Sequence, residues 1–172
     1  MTDADAPESA RIAMRRWRLG HHAFHLQLVV MNTLLTRADQ ACAEGRWADL
    51  TSDLVRLRTL YNGATATMAL AAAFDSDMYN QVVRPSMEPP FLAPGFSAAF
   101  GREHTIMLRR IERLHHRIRA GSSTKEGRPD QVLRAHRELQ RAQARNRREH
   151  VLICRRFVQD GKSLLRESEA TH

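Results

Sequence analysis

The sequence predicts an all-α protein, an antiparallel four-helix bundle with one long structured loop between helices two and three. Three observations carry that expectation. Four stretches repeat apolar residues every third or fourth position, the period of a helix with one buried face. Eight Gly and six Pro in 172 residues, most of them at a few junctions, are too few turn residues for a many-stranded β fold. A 42% hydrophobic content in a chain of single-domain length is enough to fill one core.

The elements follow in order. Residues 1–9 are acidic and polar and are expected to be disordered, leaving a single helical domain over 10–168. Helix one is predicted over 10–42, stopping at Gly45, with Trp17, His21, Phe24, Leu28, Met31 and Leu35 on one stripe. Helix two, over 47–74, turns Leu50, Leu54, Leu57, Tyr61, Ala64 and Met68 inward. Gly63 and the following alanines predict a close approach to a neighbour. Residues 75–99 hold four of the six prolines and form the loop, with a helical turn near 78–83. Helix three, over 98–120, carries Phe100, His104, Met107, Ile111, Leu114, His115 and Ile118. After a solvated turn ending in Asp130 as a cap, helix four runs over 130–160. Its inner stripe is Val132, His136, Leu139, Gln143, Arg147, His150, Cys154 and Phe157.

Charge is unevenly placed. Residues 1–101 hold nine Arg against ten acids, whereas 102–172 hold eighteen Lys and Arg against nine. Such asymmetry raises nucleic acid as a partner, and Arg134, Arg137, Arg141, Arg145 and Arg148 recur along helix four. Aromatic residues do not interleave with them, so this is the second reading. Cys42 and Cys154 are too few for a disulfide framework or a Cys-based zinc site, which points to a reducing compartment. No apolar run approaches the ~20 residues of a bilayer span, and the expected location is the cytoplasm, without membrane contact.

Five histidines, His21, His104, His115, His136 and His150, fall on predicted inner stripes. Di-iron carboxylate sites need Glu-x-x-His pairs facing inward, and none occurs. Zinc catalysis needs three close ligands and ranks low. Haem needs one neutral imidazole on a helix, apolar walls and basic groups near its propionates. His150 fits best, preceded by Arg147 and Arg148 and followed by Val151, Leu152, Ile153 and Cys154.

The motifs agree with a known family. His21-His22-Ala23-Phe24-His25-Leu26 resembles the His-Gln-x-x-Glu-Leu segment of tryptophan 2,3-dioxygenases. Tyr79 to Arg84, then Gly95-Phe96-Ser97 and Phe100-Gly101-Arg102-Glu103, are similar to that family's middle loop. Arg147-Arg148-Glu149-His150, followed by Arg156, resembles its Trp-Arg-x-x-His segment. Within this haem superfamily, His150 and Cys154 form a His-x-x-x-Cys pattern similar to that of haem-dependent tyrosine-modifying enzymes of natural-product pathways. The resemblance spans roughly residues 17–160, in an unusually short member.

The resemblance implies His150 as the iron ligand, with Arg147 beside the cofactor and His21 on the opposite side near substrate. It implies Arg84 as the binder of a substrate carboxylate, and Tyr79, Phe24 and Ser97 as substrate contacts. The haem is either b-type or attached through Cys154. His21, His104, His115 and His136 remain candidates for a second axial ligand. The expected activity is an oxygenase or peroxygenase acting on an aromatic or amino-acid-like substrate with O2 or peroxide, in a homo-oligomer. A non-catalytic haem-binding partner subunit is a further reading.

Overall fold

The computed structural model describes residues 7–87, 101–120 and 129–157. These are almost wholly helical. Helix α1 spans Glu8–Ala43, α2 Trp47–Ala71, α3 Arg102–Ala120 and α4 Asp130–Phe157. Between α2 and α3, a short α-helical turn Ser76–Met78 runs into a π-turn Tyr79–Val83 and a 3-10 turn Pro85–Met87. The all-α class is as the sequence predicts. Phe100 and Ser97, singled out from the sequence, lie outside the described residues.

Local chemistry sets the ends. Gly45 takes φ +70°, the left-handed conformation that glycine adopts without Cβ strain, and Arg46 donates its N–H to the Ala41 carbonyl at 2.9 Å, closing α1. Helix α2 stops at Ala71, three residues earlier than expected, and Asp75 Oδ1 then accepts the Met78 N–H at 2.7 Å to start the next turn. Asp130 is the first residue of α4 rather than its cap. The Pro129 carbonyl accepts from Val132 at 2.9 Å in that place.

Packing departs from the expected arrangement in one respect. Successive helices run antiparallel, but the neighbours that pack side by side include two parallel pairs. Between α1 and α3, Asn32 bonds Glu103 and Asp39 pairs with Arg117 at 2.7 Å, so residue numbers rise together. Between α2 and α4 the paired residues are Tyr61 with Gln143, Thr65 with Asn146, and Met68 with His150. Periodicity selects an inward face without naming the neighbour it meets. Helix α3 therefore packs along α1, and α4 along α2.

The core has two parts. Leu28, Met31, Leu35, Leu50, Leu54, Leu57, Ile111, Leu114, Val132 and Leu139 fill the larger one, drawn from all four helices. Helix α3 is shorter than α1 and does not reach its N-terminal third. There the π-turn packs instead, and Ala72, Tyr79, Val83, Met87 and Phe157 form a second cluster against Met14, Trp17 and Phe74. The close approach expected at Gly63 occurs elsewhere. A Cβ on Gly20 would stand 2.3 Å from the Ala71 Cβ, while Gly63 meets only the Gln27 amide at 3.4 Å.

Candidate functional site

Between the two core clusters, all four long helices bring one chemically distinctive side chain together: His21 from α1, Met68 from α2, His104 from the first turn of α3 and His150 from α4. The His150 Nδ1 lies 3.4 Å from the Met68 sulfur. A thioether sulfur only accepts, so Nδ1 carries the proton and Nε2 the lone pair. The His21 Nδ1 lies 2.8 Å from the Trp17 carbonyl oxygen, one helical turn back. That oxygen also only accepts, and the same tautomer results. The Trp17 indole lies 4.0 Å from the His21 ring, and Phe24 is 6.5 Å from His104.

Burial favours the neutral form of both imidazoles. Loss of solvation lowers the His21 pKa below its ordinary value, opposed by the Trp17 carbonyl and reinforced by His22 and His150. Loss of solvation and the neighbouring His104 lower that of His150. A neutral imidazole that donates from Nδ1 keeps its lone pair on Nε2.

His150 does not sit in an enclosed slot: its side chain is exposed on one side, as are Val151 and Leu152. Arg147, expected on the inner stripe, is exposed. Arginine stems pack against a helix while the charged head stays in water, because burying an unpaired guanidinium is unfavourable. Cys154 lies one turn beyond His150 and is half-buried, which raises its thiol pKa. Tyr79 is buried, stacked on Phe157 at 4.6 Å and edge-on to Trp17 at 6.3 Å. Arg84 follows the π-turn and is half-buried; its N–H donates to the Tyr79 carbonyl at 2.7 Å. A groove of about 570 Å³ lies on the other flank of α4, between Thr65, Ala69, Glu149 and Ile153.

The remaining histidines are occupied elsewhere. The His115 Nδ1 is 2.6 Å from the His136 Nε2, and the His115 Nε2 donates to the Gln143 Oε1 at 2.7 Å. The Gln143 amide donates to the Tyr61 hydroxyl, which donates to the Met107 sulfur at 3.1 Å. With both ring nitrogens of His115 engaged, and His136 buried against it, neither is placed as an axial ligand beside His150. Burial and the neighbouring His115 lower the His136 pKa to about 4. Sequence reading named Gln143 as inward but missed this chain, because it depends on how α2, α3 and α4 are placed side by side.

Among the described residues, no three His, Cys, Asp or Glu side chains lie close enough to hold a metal between them. No described helix is long and apolar enough to cross a membrane. The arginines of α4 at 134, 137, 141, 145 and 148 are exposed.

Residues 1–132 match the family described as SfmD 3-methyl-L-tyrosine peroxygenase. A curated relative, the 3-methyl-L-tyrosine peroxygenase of Streptomyces lavendulae, is 26% identical over 101 residues, covering 58% of this chain. The matched part spans only 27% of that relative's length. The family match includes His21, Tyr79, Arg84 and His104, whereas His150 and Cys154 lie beyond it. No solved structure matches.

Proposed function

The chain belongs to the SfmD 3-methyl-L-tyrosine peroxygenase family, and on that premise we propose that it is a haem-dependent peroxygenase that oxidises the ring of a tyrosine-like amino acid in natural-product biosynthesis. The observation that carries this reading is the shared tautomer of two neighbouring imidazoles. His21 and His150 both donate from Nδ1 and leave Nε2 unprotonated.

The donor set offers a haem one axial nitrogen, on a face open to solvent at His150. His150 offers a neutral Nε2 whose opposite nitrogen is held by Met68, an arrangement that orients a ligating ring. Trp17 and Phe24 supply apolar surface nearby, and Cys154, one turn beyond His150 on α4, would meet the edge of a macrocycle. When bound, the iron porphyrin supplies the activation of peroxide.

The remaining work falls to the chain. His21 Nε2 takes a proton from the substrate phenol, since its Nδ1 is committed to the Trp17 carbonyl. Arg84 presents a planar fork to the substrate carboxylate. Phe24 contacts the aromatic ring, and Tyr79 shapes the pocket wall through Trp17.

The test is a haem titration of the purified chain, followed by peroxide-driven turnover of tyrosine derivatives. A saturable Soret band and a ring-hydroxylated product support the reading. Equal haem binding by a folded His150→Ala variant removes it. Acidified-acetone extraction separates the two forms of cofactor: b-type pigment is released, and pigment attached at Cys154 stays with the protein.

A further inference from the structure

Helix α1 carries a second apolar stripe, on its outer side. Ile12, Leu19 and Leu26 recur at seven-residue intervals and Val29 and Val30 continue the line. All five are exposed, Leu19 at 57% and Leu26 at 66%. At about 100° per residue they lie on the flank away from the buried Ala13, Gly20, Met31 and Ala38. Single exposed leucines need no explanation, but five apolar side chains along one flank, with Arg15, Arg16 and His22 between them, do. A seven-residue repeat is the period that keeps one helix in contact with another along a left-handed supercoil, so the seam fits a helix as its occupant.

We propose that this stripe joins two copies of the chain, with their α1 helices antiparallel about a two-fold axis midway between Leu19 and Leu26. Charge sets the orientation. Arg11, Arg15, Arg16 and Arg18 crowd the N-terminal half of α1, whereas the C-terminal half holds Arg37 and Asp39. Parallel pairing opposes each arginine to its own copy. Antiparallel pairing seats Leu19 on the partner's Leu26 and lays the Arg15 stem over the partner's Val30, its head in water, while Arg16 stays on its own chain, its guanidinium 3.3 Å from the Ala73 carbonyl.

The ends agree. Ile12 meets the partner's Thr33, a residue whose hydroxyl is satisfied by the Val29 carbonyl of its own helix at 3.2 Å, leaving the methyl for contact. Each contact occurs twice, as a two-fold axis requires. The seam is about 30 Å long and buries roughly 1,000 Å² over both copies, the lower end for a specific interface, so the dimer dissociates on dilution. His21 lies on another flank of α1, and the dimer is independent of haem binding.

Sedimentation velocity of the full chain across a dilution series tests this. The expected mass rises from 19.7 kDa towards twice that value, and Leu19→Glu/Leu26→Glu stays monomeric throughout with an unchanged circular dichroism spectrum. Leu152→Glu, on α4, leaves the equilibrium as it was. A wild-type monomer at every concentration, or a dimer that survives the double substitution, overturns the proposal. Orientation is read from disulfides located by peptide mass spectrometry. A mixture of Leu19→Cys and Leu26→Cys chains gives the 19–26 link if the helices are antiparallel, and dominant 19–19 links overturn that arrangement.

Discussion

The carbonyl of Trp17 holds the Nδ1 proton of His21 at 2.8 Å while its indole covers the same imidazole at 4.0 Å. One residue thus fixes the tautomer and shields the ring. The expected result is that His21 titrates below its ordinary value and shows the Nδ1–H tautomer in long-range nitrogen–proton correlation spectra. A spectrum with the proton on Nε2 removes His21 as a proton acceptor in the site.

Arg84 is assigned to the substrate carboxylate in the proposed reaction. Arg84→Ala is expected to raise KM for a tyrosine-like substrate about tenfold or more, with kcat little changed, because it removes binding shared by ground and transition states. A substrate lacking the carboxylate is expected to show no difference between the two proteins. Equal KM values for the carboxylate substrate end that role.

Gly20 and Ala71 set the spacing of α1 and α2. Gly20→Ala places a methyl 2.3 Å from the Ala71 Cβ, so the helices must separate where they pack backbone to backbone. The expected loss is about 1–3 kcal/mol, a fall in Tm of roughly 2–10 °C for a chain of this size. Adding Ala71→Gly is expected to recover most of it, and thermal unfolding of the single and double variants reads the coupling.

His136 makes the fold acid-sensitive. Its folded pKa, lowered to about 4 by burial first and then by His115, lies below the unfolded value near 6.5. The unfolded chain therefore binds the proton more tightly. The stabilising contribution is full above pH 6.5 and is lost as pH falls towards 4, up to about 3 kcal/mol. His115, also lowered, acts in the same direction. Urea midpoints at neutral and acidic pH are expected to differ less in His136→Gln than in the wild type, and an unchanged difference assigns the acid sensitivity to other groups.

Tyr61 stands at the far end of that chain of polar groups, and burial pushes its phenol up to about 12. Tyr61→Phe leaves the Gln143 amide without its hydroxyl partner, an expected loss of about 1–3 kcal/mol in a denaturant titration. Gln143→Leu added to it is expected to cost less than the sum of the two single substitutions.

Much of this protein was legible as pattern. Apolar periodicity gave the inner faces of the long helices, because a side chain's angle about its own axis depends only on its position. Leu50, Leu54, Leu57, Ile111, Leu114 and Leu139 are buried as the stripes require, and Gly45 ends α1 through a backbone conformation open to glycine. His21 and His104 could be picked out one at a time by the same reasoning, whereas His150, assigned to an inner stripe in the same way, is exposed. Their separation from His115 and His136 could not, since it follows from which helices lie beside which. Likewise, the sequence placed Trp17 one turn before His21 and put Met68 on an inner stripe. Only the parallel run of α2 and α4 set that sulfur against His150 and committed its Nδ1 proton. A sequence fixes angles within an element by local geometry, whereas contacts between elements depend on crossings and offsets that the whole core decides together.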